Sequence, residues 1–433
     1  MATYTAAAGG GNWNAEATWE EGGGYPTAAD TAILDAGSGN VTVNVDSAVM
    51  DLDCTGYTGT LTLAANLSCY GNWLTVAGMT FTPSTYTTSF TATAAKNITT
   101  GGKQFYSVTW NGVGGVWTLQ DALTQITGGL TAFTAGTLNL NGKTFTVPTV
   151  QTVTLASGFT LNVGNSLWDT DAAMSLVVPT GAILTISTGK LYRFAGFTVS
   201  GTGTVTFTGT AELILQWGAI DITSPNWNPG TGHVRCRSGT NTLSTTQPLY
   251  DLTTGYSGLA ATWTLLSDVV VENTLTNAVG CTFNAATFTI TVGCNFTNVG
   301  TFNCGTGTVI FNTSAKISVV SGSVTFNILQ CVTPDKTVKF TAGETFICTL
   351  FDFSGTSGHL IILDTDTGAG TWTISDAAGT NTVEYCDITN SAAAGGATWQ
   401  AFIAAGNVDG GGNSGWNFGG AAATDKMFLM FSP

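Results

Sequence analysis

The chain has 433 residues, of which only 9% are charged, with 56 glycines and a formal net charge of −15. Typical soluble domains carry about 25% charged residues, so most of the polar surface must come from Thr, Ser and Asn. The negative charge argues against nucleic acid as a partner, because phosphate binding needs clustered Lys and Arg. No apolar run approaches the roughly 18 residues of a membrane-spanning helix, so no membrane insertion is expected.

The opening segment, 1–50, differs in composition from the rest of the chain. It contains Trp13, Trp19, Glu20 and Glu21. Two tryptophans near a chain start are typical of a plug over the first coil of a β-structure, so we expect an N-terminal cap or attachment segment here. The segment has neither the basic stretch nor the apolar core of a secretory signal peptide, which favours synthesis in a host cytoplasm.

Segment 136–163, "GTLNLNGKTFTVPTVQTVTLASGFTLNV", shows the pattern that dominates the chain. Apolar side chains alternate with Thr, Ser and Asn, and Gly or Asn stands at the breaks. Alternation with a period of two places one set of side chains inward and the other outward along a β-strand. The pattern therefore predicts short, half-buried strands, with no convincing helix.

Degenerate repeats run through the chain. One phrase recurs as "TYTTSFTATAAKNI", "GTVTFTGTAEL" and "GTVIFNTSAKI", which aligns Phe90, Phe207 and Phe311. A second phrase occurs at 105–121 and 249–268, with a weaker copy at 370–376. The spacing indicates super-repeats of roughly a hundred residues, each with several strands.

Two all-β architectures fit these repeats, a string of sandwich domains or a solenoid of stacked coils. The chain has only nine prolines and no linker-like segment between the super-repeats, which favours an elongated parallel β-solenoid. Coils of roughly 20–25 residues would give about 17–21 coils. We expect a cap or attachment segment at 1–50, the solenoid at 51–380, and a C-terminal coil, cap and apolar tail at 381–433.

The chain has nine cysteines, an odd number without any C-x-x-C pair. Most lie in strand-like alternation, which predicts buried free thiols in a protein made in a reducing compartment. Two well-separated histidines, His233 and His359, make a zinc site improbable. No cofactor is predicted. The cysteines are Cys54, Cys69, Cys236, Cys281, Cys294, Cys304, Cys331, Cys348 and Cys386.

The C-terminal segment contains Trp399 and Trp416, which we interpret as a second end cap. Beyond a Gly/Ala stretch lies an apolar cluster at the tip of the chain, a place where disorder is normal. Exposed apolar clusters mark contacts, so this cluster is a candidate assembly contact between copies, compatible with a trimer. The alternative is that it folds back over the last coil. The cluster is formed by Phe428, Leu429, Met430 and Phe431.

Three segments carry a resemblance to known proteins. "GNWNAEATWEEGGGYPTAADTAILDAGSGNVTVNVD" resembles the start of right-handed β-helix proteins of phage virions and bacterial surfaces. "TWNGVGGVWTLQDALTQITGGLTAFTAGTLNLNGKTFTV" and "VEYCDITNSAAAGGATWQAFIAAGNVDGGGNSGWNF" are similar to repeats and closing segments of the same group. The resemblance implies a right-handed β-helical appendage exposed outside the cell or on a virion, and it carries no catalytic residues.

An enzyme that cleaves polysaccharides is the main alternative, because glycoside hydrolysis needs two carboxylates flanking the bond. Asp at i and i+2 on a strand shares one face, and Trp168 and Trp372 would offer rings for a sugar. No Lys, Arg or His accompanies these pairs in the sequence, and Asp is ordinary in Gly- and Thr-rich turns. We therefore assign no catalytic residue. The candidate pairs are Asp51/Asp53, Asp169/Asp171 and Asp364/Asp366.

Other motifs favour structural roles. Asp409 and Asn413 in "NVDGGGNSGWN" do not make the repeated G-G-x-G-x-D pattern of calcium coils, so a turn is expected and no metal site. Arg235 and Arg237 share one strand face and are expected to be solvated or paired. The irregular T-x-T motifs do not form a single flat face of the kind that binds ice.

These observations lead to one functional expectation. The chain is expected to be a structural virion protein, a tail or head fibre or a capsid decoration protein, displayed on the virion surface. As a rigid appendage it would contact other virion proteins, further copies of itself and host-surface glycans. A secreted bacterial adhesin is the first alternative, and a polysaccharide-cleaving tailspike is the second.

Overall fold

The computed structural model describes residues 1–171, 174–256 and 258–419. The chain divides into two units, Met1–Gln247 and Pro248–Pro433, which are called unit 1 and unit 2. The boundaries predicted at residues 50 and 380 do not coincide with this division, and they stay predictions. The apolar cluster 428–431 lies outside the described residues.

Unit 1 contains strands β1 to β28 in its described part, with a single turn of 3₁₀-helix at Glu16–Thr18. The strands span, in chain order, Thr3–Thr5, Gly11–Asn12, Thr31–Ile33, Val41–Val43, Ser47–Val49, Asp51–Asp53, Thr60–Leu63, Leu67–Cys69, Trp73–Leu74, Thr80–Thr82, Thr87–Phe90, Ala95–Thr99, Gln104–Phe105, Ser107–Leu119, Leu123–Gln125, Thr131–Asn139, Phe145–Thr146, Gln151–Thr154, Thr160–Gly164, Leu167–Asp169, Met174–Val178, Ile183–Ile186, Lys190–Val199, Thr204–Phe207, Glu212–Ile222, Trp227–Asn228, His233–Cys236 and Gly239–Thr245.

Unit 2 contains strands β29 to β50 in its described part, with one 3₁₀ turn at Ile403–Ala405. These strands span Asp251–Thr253, Ala261–Leu265, Val269–Val271, Leu275–Asn277, Thr282–Asn284, Ile290–Val292, Phe296–Asn298, Thr301–Asn303, Thr308–Phe311, Ser318–Ser321, Val324–Thr325, Ile328–Cys331, Thr337–Phe340, Thr345–Ile347, Leu350–Phe353, Ile361–Thr365, Trp372–Asp376, Thr380–Thr382, Cys386–Thr389, Ser391–Gly395, Thr398–Gln400 and Val408–Gly411.

The strands of each unit pair in parallel with the strands one coil later. In unit 1, β1, β3, β6 and β9 form successive rungs of one ladder, and β4, β7 and β10 form rungs of another. In unit 2, β31, β34, β37, β40 and β43 follow the same rule. The stacked coils make a β-solenoid of about 18 turns, so the all-β prediction and the predicted number of coils are confirmed.

Alternation along the strands separates a dry interior from a polar exterior. Phe90, Phe207 and Phe311 of the repeated phrase each end a strand whose side chains alternate between half-buried and buried. Inside unit 1, the buried ring of Trp73 lies 5.8 Å from Phe90 and 5.6 Å from Phe105, measured between ring centroids. Such edge-on and tilted aromatic contacts add to the free energy gained by burying the rings.

Amide side chains at equivalent positions of successive coils form hydrogen bonds with each other. In unit 2, Thr254 donates to Asn277 at 2.6 Å, and Asn277 donates to Asn298 at 2.7 Å. Partners in such ladders are 19 to 25 residues apart along the chain and lie on neighbouring coils. A buried amide is tolerated only when it is hydrogen-bonded, so these ladders help to fix the register between coils.

Some strands are longer than the pattern predicted, because they continue around a corner of the coil. β14 has 13 residues and β25 has 11, and the pairing of both with a neighbouring strand shifts register. The sequence pattern predicts short strands, because Gly or Asn stands at each break in the alternation. At these corners Gly bends the strand without ending it.

All nine cysteines are free, and seven are buried. Cys294 and Cys304 are half-exposed. Burial raises the pKa of Cys69 and of Cys348 to about 12 in each case, which keeps these thiols protonated and unreactive. The prediction of inward-facing free thiols is therefore confirmed for seven of the nine. Within the described residues, no helix has the length and hydropathy needed to cross a membrane.

Candidate functional site

The predicted acidic pairs share strand faces, but neighbouring coils engage their oxygens. Asp51 accepts hydrogen bonds from the backbone and the side chain of Asn72 on the next coil, at 2.6 and 3.1 Å. Asp53 binds the backbone and hydroxyl of Thr55 in a tight turn. The carboxylate of Asp51 therefore connects two coils, and the carboxylate of Asp53 stabilises a turn.

The carboxylates of Asp364 and Asp366 also accept hydrogen bonds from neighbouring coils. Asp364 accepts from Asn390 at 3.1 Å, and Asp366 accepts from the backbone of Ala342 at 3.2 Å. Burial, together with the charge of Asp364, raises the pKa of Asp387. Asp364 and Asp366 therefore each use one carboxylate oxygen in a contact with a neighbouring coil, whereas Oδ1 of Asp387 is buried without a hydrogen-bond partner.

The pair Asp169 and Asp171 corrects the sequence analysis, which found no basic partner for any acidic pair. Arg193, one coil later, donates from Nε and Nη2 to the two oxygens of Asp169 at 2.8 and 2.6 Å. Its Nη1 donates to Asp171. The hydrogen bond that Arg193 donates to Asp169 raises the pKa of Arg193. The partner was missed because it lies 24 residues away in sequence, at a distance set by the length of one particular coil.

The two tryptophans suggested as sugar platforms are also corrected. Trp168 and Trp372 are both fully buried. Trp168 stacks on Phe145, and Trp372 stacks on Phe340 with a centroid distance of 4.1 Å. Both follow the inward phase of their strands, so their rings belong to the core and cannot meet a ligand.

Arg193 belongs to a corner at which several successive coils of unit 1 turn with left-handed backbone. The corner comprises residues 169–171, 192–193, 216–218 and 237–239, and it is called the arginine corner. A Cβ on Gly218 would lie 1.6 Å from the carbonyl oxygen of Ala195, so only glycine fits there. The residues with positive φ are Asp171 (50°), Arg193 (63°), Gly218 (112°) and Gly239 (73°).

The arginine corner stacks its polar side chains into a continuous network. Tyr192 lies between two guanidinium groups, with Arg193 at 5.4 Å and Arg237 at 5.7 Å from the ring centroid. Arg237 donates from Nη1 to Oε1 of Gln216 at 2.7 Å, and Gln216 donates to the hydroxyl of Ser238 at 2.6 Å. These contacts fix the side chains of neighbouring coils relative to each other.

More charges continue along the same face. Lys190 forms an ion pair with Glu212, and Arg235 lies 3.1 Å from the same carboxylate. Arg235 also contacts Nδ1 of His233 at 3.0 Å. Of the two expected states, solvated or paired, Arg235 is therefore in the paired one. All three arginines of the chain lie on this face, although the chain as a whole carries a charge of −15.

Trp217 is the feature that sequence reasoning missed at this corner. All twelve tryptophans fall in the described part of the chain, and the side chain of Trp217 is the most exposed, at 45%. Leu213 and Leu215 point inward, so strict alternation would bury residue 217 as well. The turn at Gly218 reverses this phase. The sequence "QWG", an aromatic residue beside a glycine at the end of an apolar run, was the available signal.

The remaining predicted sites have structural roles. Asn413 donates to Asp409 at 2.7 Å and to the carbonyl of Ile388 at 2.6 Å, as expected for a turn. His359 contacts Asp335 at 2.8 Å. Among the described residues, no group of three His, Cys, Asp or Glu side chains is arranged to hold a metal ion.

At the start of unit 1, Trp13 and Trp19 are buried against each other with centroids 5.1 Å apart. Their indole N–H groups donate to the carbonyls of Pro26 and Trp13, respectively. β1 and β2 are the first rungs of their ladders. The two rings therefore sit where a plug over the first coil would be, although their capping role stays a prediction.

In unit 2, Trp399 and Trp416 make a similar pair with centroids 5.2 Å apart. Phe351 contacts both rings at 6.1 Å. Trp399 is buried and Trp416 is half-buried. Their position beside the last rungs fits the predicted cap, which likewise stays a prediction.

A buried cation in unit 2 was also missed. Lys336 has no exposed surface, and its ammonium group donates to three backbone carbonyls. They belong to Gly293, Thr313 and Lys316, at 3.2, 2.9 and 2.6 Å. Burial lowers the pKa of Lys336 to about 8. This arrangement is called the Lys336 site.

A groove of about 320 Å³ opens elsewhere on unit 1. Its walls offer hydroxyl groups and small apolar side chains but no titratable group, so they carry no acid–base chemistry. The lining residues are Val113, Gly114, Gly115, Val116, Ala135, Gly136, Thr137, Ser157 and Gly158.

Comparisons of the chain with protein-family models, with curated proteins and with solved structures found no match. The resemblance to β-helix proteins of phages and bacterial surfaces therefore depends on the three quoted segments, and the structure adds the parallel β-solenoid itself.

Proposed function

We propose that this chain is a structural protein of a virion surface, a tail or head fibre or a capsid decoration protein, that contributes to attachment to the host. The observation that carries the proposal is the stack of parallel coils in each unit. Such coils present many copies of a similar outer surface on a rigid support, which suits a binding appendage. The free cysteines further support assembly in a reducing cytoplasm.

The exterior supports a binding role over a catalytic one. The carboxylates suggested for catalysis are held by Arg193, by amide side chains or by backbone N–H groups. A general acid or nucleophile for glycoside cleavage needs a free carboxylate facing the bond. These ion pairs and hydrogen bonds instead stabilise the contacts between coils.

The test is to locate the protein in cultures of the organism that encodes it. Particles purified by density gradient are analysed by mass spectrometry and by immunogold electron microscopy with antibodies against this chain. We expect the chain in intact particles, with gold on their surface. Detection in the cell envelope of cultures without particles would favour the adhesin alternative.

A separate measurement tests the alternative that the chain is a polysaccharide-cleaving tailspike. Purified protein is incubated with host polysaccharide, and new reducing ends are measured over time. We expect none above the buffer control. Release of reducing ends that is lost in Asp364→Asn, with the fold retained, would favour the tailspike alternative.

A further inference from the structure

We propose that the arginine corner binds polysaccharides that carry uronate groups, with a sugar ring on Trp217 and the carboxylate on Arg237. The inference rests on the proposed attachment function and names the ligand class. The ligand is inferred from two observations that are independent of each other: an exposed indole ring, and a guanidinium group without a carboxylate partner.

The first observation is the position of Trp217. Its side chain is 45% exposed in a chain whose other tryptophans are buried or half-buried. Gly239 of the next coil lies beside it, since a Cβ there would be 3.1 Å from the Cβ of Trp217. An exposed indole supplies a flat, rigid surface of the kind that stacks against the apolar face of a ring.

The second observation is the state of Arg237. The guanidinium has five N–H donors, and its only side-chain hydrogen bond to the described residues goes to the neutral Gln216. Arg193, by contrast, is bound by Asp169 and Asp171. Arg237 therefore keeps its charge uncompensated by any carboxylate of the described residues, and its planar fork matches an incoming carboxylate.

The surroundings hold these two groups in place. Gln216 is next to Trp217 in the chain and binds both Arg237 and Ser238 of the following coil. Arg237 follows Trp217 by one coil, and the spacing of about 4.8 Å between neighbouring coils is close to the length of one sugar residue. The ring of Tyr192 also packs against the guanidinium of Arg237.

The probes are polygalacturonate, alginate and hyaluronan, each compared with its methyl-esterified form, which keeps the rings and removes the charge. Binding is measured with the full chain by affinity electrophoresis and calorimetry. We expect the acidic forms to bind more tightly than the esters. Trp217→Ala should weaken binding to both forms about tenfold.

Arg237→Gln provides the discriminating variant. It should weaken binding to the acidic polymer about tenfold and leave the ester unchanged, so that the difference between the two forms disappears. Matched controls are Lys143→Gln, a charge removed elsewhere in unit 1, and Tyr25→Ala, an exposed aromatic ring removed elsewhere. Both controls should bind as the unchanged chain does.

Three results would overturn the proposal. Absence of binding to all three acidic polymers is the first, and equal losses in Lys143→Gln and Arg237→Gln are the second. The third is a change of oligomeric mass in Trp217→Ala without polysaccharide, which would make the corner an interface between copies. None of these results bears on whether the chain is found in particles, so failure here is distinct from failure of the proposed virion function.

Discussion

The arginine corner of unit 1 and the Lys336 site of unit 2 both contain cationic side chains. In the first the cations are on the outer surface of the coils, and in the second the cation is in the interior. Arg193 lies outside and is bound by the side chains of Asp169 and Asp171. Lys336 lies inside and is bound by three backbone carbonyls. The outer arrangement leaves Arg237 available to a ligand, whereas the inner arrangement uses all three hydrogens of the ammonium group.

The difference follows from what each side of a coil can supply. The interior contains mainly apolar side chains and backbone, with some buried hydroxyl and amide groups, and the buried cation is satisfied there by three backbone carbonyl oxygens. The exterior supplies carboxylates and amides from the coils before and after. The outer surface therefore combines charged and amide side chains from successive coils, while the ammonium group of Lys336 is bound by backbone alone.

The largest expected effect concerns two tryptophans, the buried Trp168 next to the arginine corner and the exposed Trp217 within it. Trp168→Ala removes a buried ring packed against Phe145 and Phe194, and should lower the free energy of unfolding by about 3–5 kcal/mol. Trp217→Ala removes an exposed ring and should change it by less than about 0.5 kcal/mol. Denaturant titration of both variants measures the difference. Similar losses in the two would mean that Trp217 is a structural residue, contrary to the ligand-binding role.

The Lys336 site should make stability depend on pH. The pKa of Lys336 is lowered from 10.5 to about 8, so between these values the unfolded chain binds more protons than the folded chain. The free energy of unfolding, relative to Lys336→Met, should therefore rise as the pH rises from about 8 to 10.5, by up to about 3 kcal/mol. Lys339→Met, which removes a half-exposed lysine nearby in sequence, is the control. A constant difference across this pH range would show that the ammonium group is not destabilised by burial.

Arg193→Gln should have a smaller effect. It removes the bidentate ion pair with Asp169 while keeping a residue able to adopt the same left-handed backbone, and should cost about 1–2 kcal/mol. Adding Asp169→Asn should recover part of the loss, because the carboxylate then no longer lacks its partner. A thermal melt of the four forms gives the coupling energy. A loss no larger than that of Lys143→Gln would mean that the ion pair contributes nothing measurable.

The fold could be predicted from the sequence because its signal is local. Alternation in segments such as 136–163 gives the inward face of each strand, and it also places Lys336 in phase with the buried Val338 and Phe340. That phase was the available sign of a buried lysine.

The arginine corner could not be predicted, because it depends on which residues of different coils become neighbours. Paired strands of successive coils are 18 to 30 residues apart, so no fixed spacing connects Asp169 with Arg193, or Trp217 with Arg237. The turn at Gly218 also shifts the phase of the alternation. Exposure of Trp217 is therefore a property of the assembled corner rather than of its own strand.

The last prediction of this series concerns the reactivity of the cysteine thiols and involves no change in stability. After denaturation, all nine cysteines should react with a thiol reagent in the absence of reductant. In the folded chain only Cys294 and Cys304 should react rapidly, since the other seven are buried. Recovery of one thiol after denaturation would mean four disulfides, and would contradict the reduced interior.

The most direct test of the outward-facing role of the arginine corner is hydroxyl-radical footprinting, read by mass spectrometry, with and without polygalacturonate. Without the polymer, Trp217 should be oxidised faster than the eleven other tryptophans, because its side chain is the most exposed. With the polymer, oxidation of Trp217 should fall while that of Tyr25 stays unchanged. Slow oxidation of Trp217 in the free chain, or equal protection of Trp217 and Tyr25, would contradict the account.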